Sequence, residues 1–137
     1  MTARREEMTT VRLAGAIVQG AAIDMRVAGT LVAVPRAKVD ADDLVFRVAR
    51  FDLREFGIER GDLLIVEPRP EGDAATAELV LVTLRERTYV GRWWTKHGRR
   101  ALLDYALVPI VEDDDLRVIG AVTVVVRESG GNLDGPL

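Results

Sequence analysis

The feature that most constrains this chain is a series of short apolar, β-branched runs separated by turn-forming residues. The longest run covers residues 118–126, and residues 44–48, 63–66 and 78–84 have the same character. Runs of this composition, several with apolar and polar positions alternating, are typical of strands, and helix signals are poor. The pattern therefore predicts a mostly β fold with several short antiparallel strands and little helix.

Weaker signals complete this prediction. Residues 30–34, 88–94 and 101–110 are predicted to be strands, the last one in two pieces because it contains Pro109. Turns are expected at residues 59–62, 96–99 and 112–115, and single helical turns near residues 35–42 and 50–56. At 137 residues the chain has the size of one domain. We expect a flexible tail at residues 1–10, the domain at residues 11–128, and a flexible Gly-rich tail at residues 129–137.

The residue types that are rare in this chain exclude much hydrolytic chemistry. The sequence has no Cys, one His (His97), one Ser (Ser129), and two Lys (Lys38 and Lys96). Without cysteine there is no disulfide, thiol nucleophile or cysteine metal site, and one histidine cannot build a multi-histidine site. We therefore expect no metal and no cofactor.

Charge and hydropathy point away from nucleic acid and from membranes. The net charge of −3 and the pI near 5.2 differ from the basic balance of most nucleic-acid-binding domains. No segment has the pattern of a signal peptide or of a membrane span. The expectation is a cytoplasmic protein with no membrane contact and no direct binding of nucleic acid.

The middle of the chain resembles a known family. Residues 44–67, LVFRVARFDLREFGIERGDLLIVE, are similar to the core of the LexA-type self-cleaving repressors and the UmuD-type proteins, which are signal-peptidase-like serine/lysine peptidases. Gly57-Ile58 and Gly61-Asp62 stand in the family's order and spacing. Residues 78–93 resemble its next strand pair, residues 118–127 its closing strand, and residues 13–22 its cleavage-site segment. The resemblance implies the fold of the LexA C-terminal domain.

The resemblance also implies where an active site would lie. The family's nucleophilic serine falls on Asp52, its general-base lysine on or beside Gly91, and its scissile Ala-Gly bond on Gln19-Gly20. The residues expected to line the peptide cleft are Phe51, Asp52, Leu53 and Tyr89.

Neither substituted position can perform the family's chemistry. In that chemistry a neutral lysine amine removes the proton of a serine hydroxyl, which then attacks the peptide carbonyl. A carboxylate at Asp52 is a far weaker nucleophile toward an amide, and Gly91 has no side chain. We therefore expect a pseudopeptidase that dimerises and holds its own segment or a partner's peptide. The resemblance implies a regulatory role in transcription or in a stress response such as the SOS response.

The closing strand suggests how two copies would associate. Val122, Val124 and Val126 share one face of the predicted strand. An apolar edge strand requires cover, and pairing with a symmetry mate would provide it. The prediction is a homodimer through these valines, and the alternative is an internal strand in a monomer.

Other interpretations remain open at this point. Asp52 could form an ion pair with Arg50, Arg54 or Arg92. The chain could be an active self-cleaving peptidase that uses unrecognised residues. It could also be a single-strand nucleic-acid-binding barrel in which bases stack on Tyr89, Trp93 or Trp94. Residues 112–115 fit a solvated acidic turn better than a calcium loop, and His97 fits an exposed turn.

Overall fold

The computed structural model describes residues 6–74 and 77–127, and its architecture is mostly β. The strands are β1 (Met8–Arg12), β2 (Gly15–Ile17), β3 (Leu31–Pro35), β4 (Leu44–Val48), β5 (Leu63–Pro68), β6 (Val80–Leu84), β7 (Arg87–Lys96), β8 (Arg99–Leu103), β9 (Pro109–Glu112) and β10 (Arg117–Val126). Helical segments are short: the α-helix α1 (Glu71–Ala74) and the 3-10 turns Met25–Val27, Arg36–Lys38 and Arg54–Phe56. The predicted tail at residues 129–137 lies outside the described residues.

The strands form two sheets. β1 and β3 make an antiparallel ribbon, and the other strands form one sheet in the order β2-β4-β5-β10-β6-β7-β8-β9. Within that sheet β2 and β4 are parallel and every other neighbouring pair is antiparallel. The strand that comes last in sequence, β10, therefore lies between β5 and β6.

The predicted strands are confirmed, and two further strands were missed. The segment at residues 101–110 divides into β8 and β9 as expected. The prediction of a tail over residues 1–10 is wrong for Met8 to Thr10, because they belong to β1 and pair with Ala33, Val34 and Pro35 of β3. That pairing satisfies backbone groups, and it brings Val11 against a buried apolar cluster.

Apolar side chains fill both faces of the main sheet. In β5, Leu63 and Ile65 join one buried cluster with Val32 and Val34 of β3, so the β1–β3 ribbon covers that face. Leu64 and Val66 point to the other face and pack in a second cluster. Because both faces are covered, β5 reads in the sequence as a continuous apolar run.

Tight turns join the later strands, and the turn predicted at residues 96–99 is confirmed. His97 and Gly98, at φ 52° and 78°, occupy the left-handed region between β7 and β8. A two-residue hairpin turn with positive φ at both positions matches the twist of the strands that it joins. These turns hold β6, β7 and β8 side by side and so place the free part of the β7 edge.

Candidate functional site

The first half of β7 carries a segment of the chain itself on its edge. Residues Thr88 to Gly91 pair with β6 on one side, whereas β8 pairs only from Arg92 onward. On the side left open by β8, the Gly20 amide donates to the Thr88 carbonyl at 2.8 Å, and the Thr88 amide donates to the Ala21 carbonyl at 2.9 Å. Residues 19–21, which we call the docked segment, lie in a turn that the Ala21 amide closes by donating to the Val18 carbonyl at 3.1 Å, and Ala21 forms a single bridge with Thr88.

Thr88 shows why this edge needs a partner. Thr88 is only 2% exposed, and its hydroxyl donates to the Ala21 carbonyl at 3.0 Å. A buried amide, carbonyl and hydroxyl without partners would each cost free energy. The docked segment satisfies all three.

The side chain of Gln19 continues the pairing by one position. Its Nε2 donates to the Val90 carbonyl at 2.8 Å, and its Oε1 accepts from the Val90 amide at 2.7 Å. A carboxamide offers the same donor and acceptor as a peptide group. The Gln19 side chain therefore takes the place of a peptide group opposite Val90, so the Gln19 backbone itself does not have to pair with β7.

Gly20 fits this arrangement because it has no side chain. Its φ is +79°, and an added Cβ would lie 3.5 Å from Cε2 of Tyr89. Positive φ is readily adopted by glycine and strained for most other residues. Tyr89 thus lies beside the docked segment.

Asp52 holds the docked segment from the opposite side. Its Oδ2 accepts a hydrogen bond from the Gln19 backbone amide at 3.2 Å, at an exposed position. Among the described residues Asp52 forms no ion pair, so the alternative of a salt bridge to Arg50, Arg54 or Arg92 is not observed. The structure therefore brings Gln19, Gly20, Asp52 and Tyr89 together, and Val90 places Gly91 next to them.

The two other predicted cleft residues lie elsewhere. Leu53 is fully buried in the core cluster with Phe56 and Ile58, so its assignment to the cleft surface is wrong. Its side chain turns inward because the chain enters the 3-10 turn Arg54–Phe56 directly after it. Phe51 is 56% exposed, and the Arg60 guanidinium lies 5.8 Å from its ring centroid. It flanks Asp52 on the surface.

Gly91 has no room for a lysine. An added Cβ would lie 2.8 Å from Leu102 Cγ and 2.9 Å from the Leu103 carbonyl oxygen. Backbone atoms cannot give way as the end of a flexible side chain can. The glycine lets β8 cross close to β7, so the loss of a side chain here has a packing reason.

The predicted dimer valines contact the chain's own core. Val122 packs against the cluster that contains Leu64, and Val124 and Val126 pack against the cluster that contains Ile65. The prediction that the three valines share one face is therefore wrong, because the register of β10 against β5 shifts between Val122 and Val124 and leaves Val122 on the opposite face. All three are half-buried, and a homodimer through them stays a prediction. The internal-strand alternative describes much of β10, which pairs with β5 and β6.

Part of β10 nevertheless keeps an open edge. Its pairing with β6 ends at Ala121, followed by a hydrogen bond from the Val122 amide to the Leu79 carbonyl. Within the part of the chain that the structure describes, Val124 to Val126 pair with β5 alone. Val125 is 38% exposed, on the face opposite the core.

The remaining candidate residues have structural explanations. Trp93 packs against the cluster around Leu102, whereas Trp94 lines a shallow apolar surface with Leu107 and Pro109. His97 is exposed in its turn. Asp113 and Asp115 of the acidic turn bond to Arg85 at 3.3 and 3.5 Å.

A second acidic group was missed by the sequence reasoning. Carboxylate oxygens of Asp40, Asp43 and Glu67 lie within 4.8 Å of one another. Asp43 also accepts from the Asp40 amide, and Glu67 pairs with Arg69, so these carboxylates have structural partners. The sequence separation of β5 from residues 40–43 hides this cluster from local pattern reading.

The base of the docked segment is closed by a backbone pair. The Ala16 amide donates to the Asp24 carbonyl, and the Asp24 amide donates to the Ala16 carbonyl, both at 2.9 Å. Hydrogen bonds from the Arg26 side chain, with one from its backbone amide, lower the pKa of the Asp24 carboxyl to about 2. The segment between Ala16 and Asp24 is thus a closed loop whose tip rests on β7.

The geometry defines a mostly β domain in which one strand edge hydrogen-bonds to a turn of the same chain. Among the described residues around Gln19 and Gly20, the chemically active groups are the carboxylate of Asp52 and the hydroxyls of Thr88 and Tyr89, and Thr88 is engaged with Ala21. No family model matches the chain, and no curated protein matches its sequence. In the described part of the chain no helix is long and apolar enough to cross a membrane.

Proposed function

We propose that this chain is a catalytically inactive, LexA/UmuD-like domain whose peptide site is occupied by its own segment. The observation that carries the proposal is the position of Gln19 and Gly20 between Asp52 and β7. By the resemblance, Gln19-Gly20 corresponds to the cleavage site, Asp52 to the nucleophile position, and β7 to the strand that bears the lysine. Three distant parts of the sequence meet where a peptidase of that kind would hold its substrate.

The residues at this site support binding without cleavage. The Asp52 carboxylate accepts from the Gln19 amide and so acts as a clamp on the segment. The lysine position is filled by the close approach of Leu102 and Leu103 to Gly91. Losing both members of a catalytic pair removes most of the rate.

The biological role that fits is regulatory. A domain that keeps its own segment docked resembles a repressor that is permanently uncleaved, and the resemblance suggests a cytoplasmic role in transcription or stress response.

We include homodimerisation in the proposal, at a different surface from the one that the sequence suggested. The open edge of β10 at Val124 to Val126 presents backbone donors and acceptors, and Val125 gives it an exposed apolar side chain. Antiparallel pairing of this edge with its two-fold mate would satisfy both.

Mass spectrometry tests the inactive state. Purified protein is incubated at neutral and at alkaline pH, where a lysine-dependent peptidase would be most active, and its mass is followed. The intact mass is expected throughout. A break at or near Gln19-Gly20 would overturn the proposal in favour of an active self-cleaving peptidase.

Hydrogen exchange tests the self-docking. The Val90 and Thr88 amides are expected to be protected in the wild type because Gln19 and Ala21 accept their hydrogen bonds. Asp52→Ala should increase exchange at Val90 because it releases the Gln19 amide. The matched control Glu55→Ala, at an exposed carboxylate nearby, should leave Val90 protected. Equal exchange in all three proteins would contradict a clamp at Asp52.

A further inference from the structure

The hydrogen bonds and packing around the docked segment favour the dipeptide Gln19-Gly20. Val90 presents one donor and one acceptor, and the Gln19 carboxamide satisfies both at 2.7 and 2.8 Å. Glutamate has two acceptors and no donor when ionised, and asparagine is one methylene shorter. Alanine supplies neither group. The backbone of β7 therefore selects glutamine. Substituting the side chains of β7 would leave these backbone groups in place.

The next position is selective for a different reason. Gly20 has a positive φ, and the ring of Tyr89 lies beside the place of its missing Cβ. A β-branched residue there would combine backbone strain with contact against the ring. The third position is read through its carbonyl alone, which accepts from the amide and hydroxyl of Thr88.

The docked segment is also built so that it can be exchanged. Gln19, Gly20 and Ala21 are half-buried and belong to none of the core clusters, whereas Ile17 is fully buried and anchors one end of the loop. The Ala16–Asp24 pair closes the loop without help from β7. The buried polar groups of Thr88 require some partner, so an edge that loses its own segment favours another of the same sequence.

We infer that this edge of β7 is a recognition site for a Gln-Gly turn, and that a partner protein presenting a Gln-Gly turn competes with the chain's own. The inference rests on the proposed function, since it assigns a ligand to the same site. The main chain of the turn pairs with Thr88 as Gly20 and Ala21 do, and its glutamine side chain bonds to the Val90 backbone and supplies the specificity.

A variant that weakens the docking of the chain's own segment makes the test possible. Gln19→Ala combined with Gly20→Val removes the selected groups from the docked segment and leaves Asp52, Thr88, Tyr89 and Val90 in place. The probe is a fluorescein-labelled peptide of sequence AIVQGAAI, which matches residues 16–23, and binding is followed by fluorescence anisotropy. Circular dichroism verifies that the full-length variant is folded.

The expected result has two parts. The double variant should bind AIVQGAAI at least about tenfold more tightly than the wild type, whose own segment competes, and the Val90 amide should regain protection in the complex. The peptides AIVEGAAI, AIVNGAAI and AIVQVAAI should each bind the double variant about tenfold or more weakly, because each loses hydrogen bonds or fit at one position. Thr88→Val added to the double variant should weaken AIVQGAAI as well.

Two results would overturn the inference: equal binding of the four peptides, or no binding by a folded double variant whose Val90 amide is unprotected. The proposed function has a separate readout, which is protection of the Val90 amide in the wild type without any peptide. A protected wild type together with an unselective double variant would remove the Gln-Gly site and leave the self-occupied domain intact.

Discussion

Arg127 forms a bidentate ion pair with the buried carboxylate of Asp62. Its Nε lies 3.1 Å from Oδ1 and its Nη2 lies 3.0 Å from Oδ2, while Asp62 is only 1% exposed. The Glu59 amide donates to the same carboxylate at 2.8 Å, and Arg127 also donates to the Gly57 carbonyl at 3.2 Å. The hydrogen bonds to Asp62 raise the pKa of Arg127. This pair ties the end of β10 to the turn that begins β5.

Replacing Arg127 should destabilise the domain. In Arg127→Met the buried Asp62 carboxylate loses its cation, and we expect the midpoint of thermal unfolding to fall by roughly 5 °C. Calorimetry measures the midpoint. The control is Arg117→Met, at an exposed position that has no ion pair among the described residues. Equal midpoints for the two variants would contradict a stabilising role for this pair.

Gly91 should be intolerant of even the smallest side chain. The Cβ of Gly91→Ala would meet Leu102 and the Leu103 carbonyl oxygen, so we expect a loss of about 1–3 kcal/mol in the free energy of unfolding. Urea denaturation measures it. Gly72→Ala is the matched control because a Cβ there meets nothing within 4 Å. A Gly91→Ala protein as stable as that control would contradict close packing of β8 against Gly91.

Dimerisation should depend on the exposed side chain of Val125, whereas Val124 should affect folding. Light scattering is expected to give about twice the chain mass for the wild type. Val125→Lys places a charge at the open edge and should give the mass of one chain with the fold retained. Val124→Lys should unfold the domain, since Val124 packs against the core. A single-chain mass for the wild type, or a dimer of the Val125→Lys protein, would count against the edge pairing.

Asp24 should titrate unusually low. Its carboxyl has a pKa of about 2 in the folded chain against 3.8 ordinarily, so its pairing with Arg26 stabilises the loop above about pH 4 and is lost as pH falls toward 2. Carboxyl carbon shifts in nuclear magnetic resonance measure the pKa. In Arg26→Ala the value should return toward 3.8. An unchanged value in that variant would show that another group sets it.

The strands that were predicted correctly carry their signal locally. β4 and β10 contain β-branched and apolar residues at regular spacing, and turn residues bound them. β2 was missed because it has three residues, and β1 because Thr and Arg make it read as polar. The pairing of β1 with β3 brings together two segments, and no local sequence pattern shows that they are in contact.

The site was predictable in part. The resemblance placed Gln19, Gly20 and Asp52 at one site, and the structure brings them into contact. The bond between Gln19 and Val90 joins positions 71 residues apart and depends on which backbone groups β8 leaves free. The error at Leu53 has a different origin: the resemblance placed it in the cleft beside Asp52, whereas its side chain turns into the core as the 3-10 turn Arg54–Phe56 begins.

The place of β10 between β5 and β6 has a consequence for how the chain is made. β5 and β6 do not pair with each other, so each keeps an open apolar edge until residues 117–126 have been synthesised. The Thr123–Ile65 hydrogen bond spans 58 residues, and contacts of this range form slowly. A nascent chain halted before residue 117 would expose both edges at once and would be prone to aggregate. The sheet is therefore completed only after its central strand leaves the ribosome.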